Sequence, residues 1–191
     1  MKPVGILGGS FDPIHIGHLI TAYEVLQKRN LEKIIFVPCN ISPHKIDQKI
    51  TEDFHRLNMI KLAIEEFPSF EVCDFEIRKG GVSYTYDTLV ELKKTYDNME
   101  LIIGFDNLVV FEKWNRPDDI FQLAKVVVMK REIDCIPTTR NKYFDSAILL
   151  DTTLVDISST EIRERVKNKL TIDYLVPNKV KEYITQNGLY L

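Results

Sequence analysis

The chain has 191 residues, 45% of them hydrophobic and 28% charged, with a formal net charge of −3. That is enough chain for one domain with a substantial core, and too acidic for a surface that coats nucleic acid. Its three cysteines, Cys39, Cys73 and Cys135, form no CxxC or CxxH pair, which argues against a disulfide framework or a zinc site and fits a reducing cytoplasm. No apolar run reaches membrane-spanning length, and Lys2-Pro3 followed by glycines does not read as a signal peptide. A cytoplasmic protein with no membrane or nucleic-acid partner is expected. We read a single domain over 1–191 with a small C-terminal helical portion from about 158–191.

In chain order, Val4, Ile6 and Leu7 form a first strand that ends in Gly8-Gly9. The polar turn Ser10-Phe11-Asp12-Pro13 follows, then His15 and His18 around Gly17. Ile16, Leu19, Ile20, Tyr23 and Leu26 continue at helical spacing, so strand, glycine turn and helix are predicted. Lys33–Pro38 is a second strand. The long segment 39–50 carries Pro43-His44-Lys45, and a loop of that length inside a domain is usually functional or mobile. Thr51-Glu52-Asp53 caps a second helix, with Leu57, Ile60, Leu62, Ile64 and Phe67 as its apolar positions and Pro68 as its stop.

Phe70–Phe75 alternates as a third strand, and Arg78–Ser83 reads as a basic glycine turn. A third helix runs from Tyr84-Thr85 to near Tyr96. Glu100–Gly104 is a strand buried on both faces. Phe105-Asp106-Asn107 turns at its end, and a short helix then reaches Trp114. Asp118–Leu123 is helical, and Lys125–Lys130 is a fifth strand, followed by Arg131. The stretch 132–146 is irregular, and Ala147–Leu150 is a further strand. Ser158 and Glu161 have capping-box spacing, so a helix starts there. Pro177 opens the last helix, with Val180, Tyr183 and Ile184 inward, and Asn187-Gly188 closes it. Alternating strands and helices predict a Rossmann-like, doubly wound α/β fold with a mainly parallel sheet and helices on both faces. Ligands bind such sheets beyond the carboxyl ends of the strands, where the motifs at Gly8, Pro43, Gly104 and Ser158 all fall.

Gly8 and Gly9 allow close backbone approach and positive φ. The helix after them begins with unpaired amides and a partial positive charge. Two imidazoles at i and i+3, His15 and His18, project from its first turn, and together these parts make a phosphate site. The pattern is neither Walker A nor GxGxxG. Ser158-Ser159-Thr160-Glu161-Ile162-Arg163 adds hydroxyls, a second helix start and an arginine fork, enough to hold a triphosphate tail. An ordinary capping box with a surface arginine is the alternative for that stretch taken alone.

GGSFDPIHIGH resembles the signature of the nucleotidyltransferase superfamily that carries (H/T)xGH after its first strand, and ISSTEIR resembles the same superfamily's second motif. HIGH also occurs in class I aminoacyl-tRNA synthetases. Against that reading, no KMSKS-like sequence is present. Ser83-Tyr84-Thr85 with Thr88-Leu89, and Gly104-Phe105-Asp106 with Trp114, resemble elements of one branch, the bacterial nicotinate-mononucleotide adenylyltransferases. That resemblance runs from Gly5 to the closing Asn187-Gly188-Leu189-Tyr190, with Ser42 and Phe105 as mild departures.

The resemblance implies an ATP site at Gly8, Gly9, Ser10, Phe11, His15, His18, Gly104, Asp106, Ile157, Ser158, Ser159, Thr160 and Arg163, with Asp106 near the ribose and Asp12 as a turn residue. It implies a nicotinate mononucleotide site at His44, Lys45, Ser83, Tyr84, Thr85, Trp114 and Arg131. The Trp114 ring would stack on the base, while Thr85 and nearby amides receive the carboxylate. His15, His18, Lys45 and Arg163 would act catalytically, with Mg²⁺ carried on the ATP phosphates, no metal site on the chain and a homo-oligomer open. The implied reaction is direct displacement at the ATP α-phosphorus, giving deamido-NAD and pyrophosphate. Pantetheine-phosphate and nicotinamide-mononucleotide adenylyltransferases are the enzymatic rivals, and a nucleotide sensor is the non-enzymatic one.

Overall fold

A computed structural model describes residues 2–43, 50–130 and 140–191. Among the described residues, six strands form one sheet: β1 (Val4–Gly9), β2 (Lys33–Pro38), β3 (Phe70–Val72), β4 (Met99–Gly104), β5 (Lys125–Lys130) and β6 (Ile148–Asp151). Their order is β3-β2-β1-β4-β5-β6, and every pairing is parallel. The chain therefore reverses its winding between β1 and β4, which makes the crevice above these two strands the expected ligand position.

The helices are α1 (Ile16–Lys28), α2 (Asp53–Ile64), α3 (Phe75–Lys79), α4 (Thr85–Leu92), α5 (Phe105–Val109), α6 (Pro117–Leu123), α7 (Ser159–Lys167) and α8 (Asn178–Gln186), with a 3-10 turn at Phe111–Lys113. Strand alternation divides the core. Leu7, Ile34, Phe36, Ile102 and Val127 face α1, α2, α7 and α8. Ile6, Ile35, Val37, Leu101, Ile103 and Val128 face α4, α5 and α6. Both faces of the strands are thus covered, which is why their sequences are continuous apolar runs.

Several elements differ from the sequence reading. The third strand stops at Val72, and Phe75 begins α3 rather than ending a strand. The turn that follows places Gly80 and Gly81 at φ +71° and +69°, the left-handed region that glycine enters without a Cβ clash. The segment Phe105–Val109 is a helix of its own rather than a turn. In α1 the buried positions are Gly17, Leu19, Ala22 and Val25, while Ile20 and Tyr23 face solvent. In α2 the buried stripe is Arg56, Met59, Ile60, Ala63 and Ile64, and Phe67 lies beyond the helix and exposed. Pro177 is the residue before α8 rather than its first turn. Of the irregular stretch 132–146, only 140–146 lies within the described residues, where Tyr143 and Phe144 are buried.

Candidate active site

A cavity of about 620 Å³ opens at the carboxyl ends of β1, β2, β4 and β5. Gly8, Gly9, Ser10 and Phe11 line it from β1 and the loop that follows, and Gly104 and Asp106 from the end of β4. His18, Ser83, Tyr84, Thr85 and Trp114 complete the wall among the sequence-derived candidates. A volume of this size suits a small-molecule site.

The glycines of β1 act differently from the sequence expectation. Gly8 and Gly9 are extended strand residues, and positive φ belongs instead to Phe11 (+47°). A Cβ on Gly8 would meet no protein atom within 4 Å, so its missing side chain leaves room on the cavity side. On Gly9 a Cβ would press against the Phe11 ring at 3.0 Å. Gly8 thus keeps open space for a ligand, and Gly9 seats the aromatic that forms the loop.

His15 and His18 are not two side chains of one helical turn. His15 precedes α1 as its N-cap, with extended backbone. Its Nδ1 accepts the His18 N–H at 3.3 Å, and the His18 Nδ1 accepts the His15 N–H at 3.2 Å. This is a capping box built from two imidazoles. The rings stack at 3.6 Å between centroids and 25° between planes. Gly17 makes the stack possible, because a Cβ there would lie 3.1 Å from the His15 Nδ1. An Nδ1 that accepts an amide hydrogen carries no proton, so each neutral ring holds its hydrogen on Nε2. Burial lowers His15 from 6.5 to about 4. Burial, and then repulsion from His15, holds His18 well below 6.5. At neutral pH both rings are uncharged Nε2–H donors, with His18 on the cavity wall and His15 stacked behind it.

The start of α7 meets the same loop from outside. Ser158 caps the helix by accepting the Glu161 N–H at 3.1 Å. The Ser159 hydroxyl donates to the Pro13 carbonyl at 2.8 Å, and Arg163 Nη1 donates to the Asp12 carbonyl at 2.8 Å. Thr160 Oγ1 accepts from Arg163 Nη2 at 3.2 Å. Arg163 therefore sits on the loop that leads directly into His15 and His18, on the same side of the molecule. His15, Ile157, Ser158, Ser159, Thr160 and Arg163 are not on the described cavity wall. Ser159 and Arg163 instead hold the loop that forms it.

On the other side, the amino end of α4 opens onto the cavity with Tyr84 as N-cap and no side-chain cap. Ser83 is largely committed to structure, since its Oγ accepts the Asn40 N–H at 2.9 Å. Phe111 covers the Trp114 indole at 4.7 Å and 24°. Trp114 Nε1 is the one buried side-chain nitrogen or oxygen among the described residues with no hydrogen-bond partner. A buried donor left unpaired is costly, and here it borders an open site. His44, Lys45 and Arg131 lie outside the described residues.

The sequence reading missed two groups. Glu76 lines the cavity, takes a hydrogen bond from the Thr88 hydroxyl, and has its carboxyl pushed up by burial. Nothing in its local pattern marks it, because it falls between the strand read to Phe75 and the turn read from Arg78. Arg56 is fully buried, with Nη1 on the Ser10 carbonyl at 2.8 Å and Nε on the Thr51 carbonyl at 3.0 Å. Its signal was present: Arg56, Met59, Ile60 and Ala63 follow the i, i+3, i+4, i+7 pattern of one helix face.

Residues 6–165 match the family model described as cytidylyltransferase-like. The nicotinate-nucleotide adenylyltransferase of Bacillus subtilis (strain 168) is 43% identical over 192 residues, covering 100% of this chain and 99% of the relative. The chain belongs to the nicotinate-nucleotide adenylyltransferase family. A probable member from Clostridium botulinum (strain Eklund 17B / Type B) is 41% identical over 197 residues, covering 100% of this chain and 98% of the relative. Among solved structures, Plasmodium falciparum nicotinic acid mononucleotide adenylyltransferase complexed with NaAD has a TM-score of 0.81 at 23% identity, covering 100% of this chain and 98% of that one. The same enzyme complexed with APC gives 0.77 at 22% identity, with the same coverage of both chains. These structures share the family's fold.

Proposed function

We propose that this family member transfers the adenylyl group of ATP to nicotinate mononucleotide, in NAD biosynthesis. The observation that carries the reading is the loop 10–15. It lines the cavity, ends in a neutral two-histidine donor pair, and is gripped from behind by the start of α7.

The acceptor is a phosphate, already anionic near pH 7, so no general base is required. An acceptor oxygen attacks the α-phosphorus, and the bond to the α–β bridging oxygen breaks. Pyrophosphate leaves with that electron pair. Positioning and charge stabilisation carry the rate. His18 donates Nε2–H to a phosphoryl oxygen while His15 fixes its ring, and Arg163, Ser158 and Thr160 steady the pyrophosphate end. The family resemblance implies a role for Lys45 and His44 at the transferring group, and both lie outside the described residues. Asp106, in the first turn of α5, is suited to a ribose hydroxyl. The family resemblance implies Mg²⁺ held mainly by triphosphate oxygens and water. When bound, the ion neutralises charge on those oxygens.

The pyridine end lies against Trp114, Tyr84 and Thr85, with the substrate carboxylate at the uncapped start of α4. A panel of nicotinate mononucleotide, nicotinamide mononucleotide, phosphopantetheine and CTP tests the assignment. Pyrophosphate release is expected to be fastest with ATP and nicotinate mononucleotide. ATP binding with no pyrophosphate release from any acceptor would favour a sensor instead. Trp114→Ala is expected to raise the KM of the pyridine nucleotide by roughly tenfold or more, with the KM of ATP nearly unchanged. Equal effects on the two substrates would remove the indole from the pyridine site.

A further inference from the structure

The loop that carries the histidines has a second anchor, 178 residues away in the chain. After α8, Gly188 turns the backbone at φ +58°, and the Leu189 N–H closes on the Ile184 carbonyl at 3.0 Å. Tyr190 follows with φ +68°, a conformation that a bulky residue adopts only when its surroundings hold it there. Its hydroxyl donates to Asp12 Oδ1 at 2.7 Å. Asp12 is 4% exposed, and its other oxygen accepts the Thr51 N–H at 3.2 Å. One buried carboxylate therefore joins three segments: the nucleotide loop, the chain entering α2, and the turn after α8. The Asp12 carbonyl carries Arg163. Tyr183 fastens α8 to α2 a second time, through His55 Nδ1 at 2.9 Å and Asn58 Nδ2 at 3.1 Å.

We propose that Tyr190 is a positioning residue for the nucleotide: its hydroxyl, acting through the Asp12 carboxylate, sets the loop that aims His18 and seats Arg163. The proposal rests on the adenylyl-transfer reading and concerns the ATP half of the site. Among the described residues, Glu76, Ser83, Tyr84 and Thr85, which border the pyridine half, share no hydrogen bond with this network.

The test compares wild type, Tyr190→Phe, Asp12→Ala and the double variant. Tyr190→Phe keeps the ring that packs on the core and removes only the hydroxyl. It is expected to raise the KM of ATP and lower kcat/KM for ATP by roughly tenfold, with the KM of nicotinate mononucleotide within about twofold of wild type. Calorimetry with a non-hydrolysable ATP analogue should show the same weakening, and in the Asp12→Ala background the Tyr190→Phe change should add nothing. A lowered Tm with unchanged ATP parameters overturns the proposal, as does an equal effect on both substrates. A full Tyr190→Phe effect surviving in the Asp12→Ala background also overturns it. If Asp12→Ala fails to fold, the split between substrates in Tyr190→Phe decides alone. If wild type turns over no acceptor, the adenylyl-transfer reading fails, and analogue binding still reads the positioning.

Discussion

His18→Ala is expected to lower kcat by roughly 10²–10³, the usual cost of removing one preorganised donor from a developing charge. The fold should survive, because the His18 side chain lies at a helix start and is not part of the sheet core. What is lost is specific: the Nε2–H donor on the cavity wall, the cap on the His15 N–H, and the ring that stacks on His15. Loss of the cap is worth about 0.5–2 kcal/mol of stability, so the melting transition should shift modestly while turnover collapses.

The pH behaviour follows from the same geometry. Both rings are held below the ordinary imidazole range, so turnover should not fall as pH rises from 6 to 8 on their account. A charged imidazolium in the mechanism would produce that fall. Stability runs in the opposite sense from a group whose pKa is raised. Between pH 6.5 and about 4 the unfolded chain takes up a proton at His15 that the folded chain refuses. The contribution is complete above pH 6.5 and is lost as pH drops through that window. Thermal melts at pH 7.5 and 5 would record it. Wild-type turnover in purified His18→Ala, or activity that tracks histidine protonation, would remove the neutral donor from the mechanism.

Much of the site was legible because its chemistry is local in sequence. GGSFDPIHIGH encodes a strand end, a loop and a helix start in one run, and the strands read correctly because apolar runs flanked by turns mark a buried parallel sheet. β2 and β5 have the bounds that periodicity suggested. The misreadings have a common cause, which is that long-range partners decide local roles. His15 and His18 show helical spacing, yet each Nδ1 finds the other residue's amide and the first ring leaves the helix. Phe75 alternates like a strand residue, yet the sheet edge ends at Val72 and the chain turns into α3. Ser83 lines the cavity, and its hydroxyl also accepts the Asn40 N–H, a partner after β2 that no local pattern could name. Asp12 was read as a turn residue, and no local pattern could pair it with Tyr190.

Arg56 presents the other large effect. It is the largest of the fully buried side chains, and its guanidinium touches Ser10, Thr51 and Asp53 at once. Arg56→Ala is expected to cost about 2–5 kcal/mol, the range for emptying a large buried side chain, with the Ser10 and Thr51 carbonyls left unpaired. Against a typical total stability of roughly 5–15 kcal/mol, that loss leaves the protein marginal, and a urea titration should show the midpoint fall sharply. Arg56→Met separates the two contributions. It refills most of the volume, but it still leaves the Ser10 and Thr51 carbonyls and Asp53 without their donor. It restores no donor to the Ser10 carbonyl, and Ser10 lines the cavity one residue from Phe11, whose ring lies 5.1 Å from the His18 ring. Arg56→Met is therefore expected to recover the cavity part of the stability loss while leaving kcat/KM for ATP depressed by roughly tenfold. Recovery of both would mean that the arginine serves the fold alone. Recovery of stability alone would mean that a buried cation from α2 holds the loop on which the phosphate chemistry depends.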